Sequence, residues 1–196
     1  FGQLFAEGLT YRAEYIVNWC PSCETALSDI EVEYRDLPSF LYYIRYPIKE
    51  RPGQYLVVAT TRPETMLGDV ALAIHPDDKR YRQYVNTTVI LPIVGREMSI
   101  IQDEYVDPQF GTGVLKVTPA HDINDFELGK KHHLPAISVI DSHGVMSENA
   151  GAFAGMTREQ GREAIVEKLK SLDLIDKIEE YSHSVGHCYR CSTPVE

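Results

Sequence analysis

The stretch Phe110-Gly111-Thr112-Gly113-Val114-Leu115-Lys116-Val117-Thr118-Pro119-Ala120-His121-Asp122-Ile123-Asn124-Asp125-Phe126 passes from strand to helix within a few residues. Val114 to Val117 has strand composition, and Pro119 ends it. Lys116 and Thr118 are two apart on the strand, so both point to one face. Asp122 then falls at the N-cap of a helix and Asp125 at its third position. A Lys, a Thr hydroxyl and two carboxylates therefore converge on one strand-to-helix corner, which could hold an ammonium group and a hydroxyl together. The plainer reading is a buried Lys–Asp pair beside an ordinary helix cap. His121 is a possible base, although a lone His at a helix start is more often a structural hydrogen-bonder. Gly111-Thr112-Gly113 is too short for a dinucleotide loop, and no Walker pattern occurs.

A second strand-to-helix passage lies upstream, in Ala59-Thr60-Thr61-Arg62-Pro63-Glu64-Thr65-Met66-Leu67-Gly68-Asp69. Thr61 and Glu64 have the spacing of a capping box, and Pro63 suits a first helical turn. Such a helix start offers free backbone N–H groups to an anion or a carbonyl. Taken alone, it reads better as a well-capped short helix with no ligand.

Outward from these two corners the chain reads as short strands punctuated by Pro and Gly. Strand candidates are Leu41–Ile48, Tyr55–Thr60, Val70–Ile74, Thr88–Val94, Met98–Ile101, Val114–Val117 and Ala136–Ile140, with a turn at Arg51-Pro52-Gly53. Helices are few: a stripe over Phe1 to Leu9, a segment over His121 to His132, and one opened by the capping box Thr157-Arg-Glu-Gln160. Close-spaced strands of this kind predict an α+β fold, with a small barrel or folded-over sheet and peripheral helices.

All four cysteines sit in two Cys-x-x-Cys pairs, Cys20-Pro-Ser-Cys23 and Cys188-Tyr-Arg-Cys191. Two such knuckles can supply four thiolates to one tetrahedral zinc, and four protein ligands leave no open position for water, so the role is structural. Two disulfides or four free thiols are the alternatives. The span between the pairs far exceeds a simple zinc ribbon, so the chain is expected to leave a metal-bound root and return to it. This divides it into a root segment (1–35), an inserted domain (36–180) and a return segment (181–196). Phe1 at one end and Glu196 at the other suggest a piece of a longer chain.

Composition limits the function classes. Apolar residues make up 43 % and charged residues 24 % of the 196 residues, an ordinary globular balance. Lys plus Arg is 19 against 29 Asp plus Glu, a net charge of −10. Such a domain is a poor candidate for coating nucleic acid nonspecifically, yet it can bind a short nucleic-acid end in a local pocket. The longest apolar run, Tyr55 to Ala59, is far below the ~20 residues of a membrane span, and no secretory signal is visible, so a cytoplasmic location with no membrane partner is expected. Asn86-Thr87-Thr88 matches a glycosylation pattern but is idle in that setting.

The two corners, in this order and separation, resemble the editing domain of class I aminoacyl-tRNA synthetases, the connective polypeptide insertion. Thr60-Thr61-Arg62-Pro63-Glu64-Thr65-Met66-Leu67-Gly68-Asp69 is similar to the valyl-tRNA synthetase form, where the isoleucyl family has Thr-Thr-Thr-Pro-Trp-Thr and the leucyl family Thr-Thr-Arg-Pro-Asp-Thr. Gly111-Thr112-Gly113, with Lys116-Val117-Thr118-Pro119-Ala120-His121-Asp122, fits the same branch. Val17-Asn18-Trp19-Cys20-Pro21 and Ser28 to Glu33 resemble the lead into that insertion, and His183-Ser184-Val185-Gly186-His187-Cys188 resembles the return. The host's His-Ile-Gly-His and Lys-Met-Ser-Lys-Ser type runs are absent, so amino-acid activation by this chain is not expected.

The resemblance implies a β-barrel with peripheral helices that hydrolyses threonine misattached to tRNA(Val), the 3′ end of that tRNA and the remaining synthetase domains being its partners. A hydrophobic synthetic pocket cannot strongly reject an isostere that adds a hydroxyl; valyl-tRNA synthetase facing threonine is the standard instance of that rule, not a deduction from this chain. By position, Asp125 would pair with the substrate ammonium. Lys116, Thr118 and Asp122 would line the threonine side-chain pocket. Thr61, Arg62 and Thr65 would frame the ester and terminal ribose, and Phe110 with Gly111, Thr112 and Gly113 would wall the adenosine. The general base stays open among His121, Asp122, a ribose hydroxyl and a backbone carbonyl. The rival is a noncatalytic, zinc-rooted module that binds tRNA or protein. The two part on whether Lys116 and Asp125 share a cleft.

Overall fold

A computed structural model describes residues Phe1–Glu196. Nine strands form three sheets. The smallest is a hairpin of β1 (Asn18–Cys20) and β2 (Thr25–Leu27). The second is built on β3 (Val32–Pro47), flanked by β4 (Tyr55–Thr60) and β9 (Ile175–Cys188), both antiparallel to it. The third has the order β6 (Thr88–Ile90), β7 (Glu97–Gln102), β5 (Ala71–Ile74), β8 (Val114–Val117), with β5 and β7 parallel. Helices α1 (Gly2–Ala6), α2 (Ile123–Lys131) and α3 (Arg158–Ser171) complete the chain, with short 3₁₀ turns between.

The α+β class holds, but the sheets do not close into a barrel. The second and third sheets touch through one bridge, Ile48 to Val89. On the opposite side β4 and β8 face each other without a ladder. There the Thr112 hydroxyl, not a strand amide, donates to the Val57 carbonyl at 2.6 Å. Closure needs paired backbone all round; here the β4–β8 seam stays open, and the candidate site occupies it.

The main core lies between these two sheets and is capped by α3. It includes Ile44, Tyr46, Leu56, Val58, Leu72, Ile74, Val89, Leu91, Ile165 and Leu169. All four residues of β5 are buried because its two faces serve two cores: Leu72 and Ile74 face the main one, while Ala71 and Ala73 pack with Val106, Val117 and Leu128 beneath α2. Small residues on that second face let α2 lie close to the sheet.

Several expected elements appear as read, and others change for identifiable reasons. Strands β4 and β8 and the Thr157–Gln160 capping box are as expected. The Arg51–Gln54 turn closes with Gly53 at φ +81°, a conformation that favours glycine. The Ala136–Ile140 segment is reduced to one antiparallel bridge, Ile140 to Met146: the Val139 N–H on its other edge donates to His121 Nε2, so pairing does not extend into a strand. The strand expected to reach Val94 stops at Ile90, since Pro92 cannot donate and Ile93 turns at φ +68°. Strand β9 is not predicted from the sequence, because half of its residues are exposed and they carry no apolar alternation. It exists through backbone pairing with β3 along Val32 to Ile44. The segment boundaries expected at 35/36 and 180/181 fall inside this continuous ribbon.

Candidate active site

The open seam holds a cavity of about 350 Å³. Thr61, Arg62, Thr65, Phe110, Lys116, Thr118, His121, Asp122 and Asp125 all line it, so nine residues singled out by sequence meet in one place. Gly111, Thr112 and Gly113 line an adjoining cavity of about 330 Å³ that shares the walls Ala59, Tyr105, Phe110 and Leu115. At Gly111 and Gly113 the backbone takes φ of +58° and +78°, which glycine accommodates without strain.

The strand-to-helix corner is tied by two aspartates with different tasks. Asp122 is the N-cap of α2, and its Oδ1 accepts the N–H groups of Asn124 at 2.8 Å and Asp125 at 3.0 Å. Asp125 is buried and accepts the Thr118 N–H at 2.8 Å through Oδ2. Burial pushes its carboxyl up to about 7; Lys116 and the Thr118 amide pull the other way, while Asp122 and Asp69 add to the rise. A cation arriving in the cavity would relieve this.

Lys116 pairs with Asp69, not Asp125. Its Nζ lies 3.4 Å from Asp69 Oδ1 and donates to Thr118 Oγ1 at 2.5 Å and Thr65 Oγ1 at 3.2 Å. Asp69 is fully buried and also accepts from the Thr118 hydroxyl at 2.6 Å and the Tyr46 hydroxyl at 2.7 Å. Burial raises the Asp69 carboxyl, against the pull of Lys116, Thr118 and Tyr46. Thr118 and Thr65 are themselves buried, and Lys116, itself largely buried, is the member of this polar stack with the most surface left open.

Arg62 is held away from free rotation. Its guanidinium bonds Glu196 at 2.7 and 2.5 Å and Glu64 at 3.2 Å. Arg162 takes both oxygens of the fully buried Glu64 at 2.7 and 2.8 Å, which keeps that carboxyl low despite burial. The expected Thr61–Glu64 capping box is therefore absent: Arg62 is the N-cap of a 3₁₀ turn, with Pro63 in its first turn, and Glu64 is committed to arginines. His121 accepts the Val139 N–H at Nε2, 2.8 Å, and burial lowers its imidazole to about 4. It is neutral and occupied as a structural acceptor, which removes that nitrogen as a base.

Sequence reasoning passed over Asp69, Tyr105, Tyr181 and His183. Asp69 closed a quoted motif without being given a role. Tyr181 and His183 reach the cavity from β9, with ring centroids 6.1 Å apart and nearly parallel, so they could be placed only once that strand was known.

At the other end of the β3–β9 ribbon the four cysteine sulfurs lie within 4.8 Å of one another. Cys20 and Cys188 are buried, Cys23 and Cys191 more open, and no disulfide joins them. Zn–S bonds of ~2.3 Å in a tetrahedron place sulfurs roughly 3.8 Å apart. The cluster therefore has the donor set and compactness for a metal ion with four thiolate ligands.

Comparison with known proteins places the chain in a family. Residues 1–44 match the family of tRNA synthetases class I (I, L, M and V), and residues 83–170 match the leucyl-tRNA synthetase editing domain family. The chain is 54 % identical to a valine–tRNA ligase of Thermotoga maritima and 57 % identical to that of Carboxydothermus hydrogenoformans, in each case over the whole chain and 22 % of the relative. It thus spans about a fifth of the length of these relatives. The fold is also found in a LeuRS of Agrobacterium radiobacter K84, solved as a ternary complex with tRNA and LeuAMS; the TM-score is 0.55 at 15 % identity, covering 98 % of this chain and 35 % of that one. On the strength of the whole-chain relatives and the two corners that meet in one cavity, the chain belongs to the class I tRNA synthetases, as an editing domain of the valine–tRNA ligase type.

Proposed function

We propose that the chain hydrolyses threonine from misacylated tRNA(Val), after its transfer to the tRNA, within a valyl-tRNA synthetase whose other domains activate valine with ATP. The observation that carries this reading is that Lys116 and Asp125 line the same cavity, together with the polar groups expected around an aminoacyl ester. That also favours a catalytic domain over a purely binding module.

The 3′ adenosine would lie toward Phe110 and the Gly111–Gly113 turn, with the ester near Thr61, Arg62 and Thr65. Asp125 takes the α-ammonium, and the Lys116–Thr118 side of the cavity takes the side chain. Water adds to the ester carbonyl carbon; the ribose oxygen then leaves with a proton, giving free threonine and free tRNA. The ester is already activated, so no protein nucleophile is required, and orientation can supply a large share of the acceleration. With His121 Nε2 occupied, Asp122, a ribose hydroxyl or a backbone carbonyl remains to orient the water. The cysteine cluster would hold zinc, in a structural role, at the root formed by residues 1–35 and 181–196. No helix is long and apolar enough to cross a membrane.

Deacylation of tRNA(Val) charged with threonine or with valine tests the reading. Threonyl-tRNA(Val) should be cleared and valyl-tRNA(Val) spared. Equal clearance, or none in the full-length enzyme, would overturn it.

A further inference from the structure

The Lys116 ammonium rests on three oxygens, those of Thr118, Thr65 and Asp69, and only Asp69 carries a formal charge. Asp69 cannot touch a ligand: it is fully buried, beneath a threonine that is itself without exposed surface. Its two oxygens are divided. Oδ2 accepts from Tyr46, whose ring is fixed in the main core, and Oδ1 accepts from the Thr118 hydroxyl and faces Lys116. The Thr118 proton is thereby committed inward, which leaves its oxygen to accept from Lys116. The 3.2 and 3.4 Å contacts are long, so those ammonium N–H groups can turn toward a hydroxyl oxygen in the cavity, while the short bond to Thr118 holds the nitrogen in place.

We propose that Asp69, braced by Tyr46, is the positioning residue that sets the pocket's selectivity for a hydroxylated side chain, by fixing both the Thr118 hydroxyl and the Lys116 ammonium beneath it. This rests on the threonine-clearing reading above. A merely structural Asp69 would stabilise the corner without bearing on which ester is cleared.

The test uses the full-length enzyme and compares kcat/KM for tRNA(Val) carrying threonine with that for tRNA(Val) carrying 2-aminobutyrate, which keeps the threonine carbon chain and lacks the hydroxyl. The wild-type ratio reports on hydroxyl reading: if the two esters are cleared alike this inference fails, whereas the proposed function stands or falls separately on clearance of threonyl- against valyl-tRNA(Val). Given a wild-type preference for threonine, Asp69→Asn should lower the ratio about tenfold or more, the scale of a lost charge-assisted hydrogen bond. Because much of the effect runs through Lys116, adding Asp69→Asn to Lys116→Met should lower the ratio less than Asp69→Asn lowers it in the wild-type background; an undiminished drop would place the effect outside Lys116 and overturn its part in the proposal. If Asp69→Asn does not fold, Tyr46→Phe decides, with an expected drop of about two- to tenfold. A folded Asp69→Asn enzyme, or failing that Tyr46→Phe, that slows on both esters equally and keeps the wild-type ratio would overturn the proposal while leaving the threonine-clearing function intact.

Discussion

The Asp125 carboxylate accepts the backbone N–H of Thr118 at 2.8 Å, so the first turn of α2 is latched to the end of β8 by the same side chain expected to receive the substrate. One oxygen is spent on the latch, and the side chain lines the cavity. The fold tolerates this buried carboxyl at the cost of a raised pKa. That combination suits a group waiting for a cation better than one serving only the helix.

Asp125→Asn should therefore cost activity more than structure. The amide can still accept from Thr118, but it cannot pair with an ammonium. Loss of a charge-assisted bond is worth ~1.5–3 kcal/mol, or roughly 10–100-fold in deacylation of threonyl-tRNA(Val). A folded variant that clears this ester at the wild-type rate would reduce Asp125 to a helix-end residue.

The same substitution makes a prediction about pH and stability. The Asp125 carboxyl is raised from 3.8 to about 7 by burial. The folded state thus holds a proton more tightly than the unfolded one, and this contribution to stability is complete below pH 3.8 and lost as pH climbs through about 7. Asp125→Asn should melt close to wild type at low pH and gain on it, by ~1 kcal/mol or more, above neutrality. Thermal unfolding at pH 4.5 and pH 8 checks this; a difference that does not change with pH would refute it.

Lys116 and Thr118 should not behave alike. Removing the ammonium in Lys116→Ala leaves Asp69 buried without its charge partner, and breaking a buried pair costs ~3–5 kcal/mol. Thr118→Val removes one hydroxyl from the same stack at an expected cost of ~1–3 kcal/mol. Circular dichroism melts should rank Lys116→Ala as the less stable. The folded Thr118 variant is then the better probe, and its clearance of threonyl-tRNA(Val) should fall relative to clearance of valyl-tRNA(Val).

Gly68 sits where α-carbon substitution has no room. A methyl there would lie 2.6 Å from the Ile137 carbonyl oxygen and 3.3 Å from Thr118 Cγ2. Gly68→Ala should destabilise by ~1–3 kcal/mol through a forced backbone shift and, because Thr118 moves with it, also slow deacylation. An unchanged melting temperature would show that the Ile137 segment yields freely.

Protein produced with zinc available should contain one zinc per chain, bound by Cys20, Cys23, Cys188 and Cys191. Metal analysis without zinc would count against the site. Cys191→Ser should release the metal and speed hydrogen exchange at β1, β2 and the end of β9. The cores around Leu72 and Ala71, which share no residue with the cluster of Cys20, Leu27, Val32 and Cys188, should stay protected.

Sequence alone determined the elements whose signals are local: the strand β8 running into α2, the Asp122 cap, the Thr157–Gln160 box and the paired cysteine knuckles. Each depends on spacing along a few residues, and spacing is written in the chain. What only the tertiary structure decided depends on partners far away in sequence. Strand β9 is held by β3 rather than by an apolar face of its own. Glu64 abandons its cap because Arg62 and Arg162 reach it first. The Lys116 ammonium settles on Asp69 and not on Asp125, because Asp69 is the carboxylate buried directly beneath it and Lys116 is the cation its side chain pairs with. Whether the sheets close is likewise a matter of long-range pairing, and the open β4–β8 seam leaves room for the cavity because a single hydroxyl stands where a ladder of backbone bonds would have filled the space.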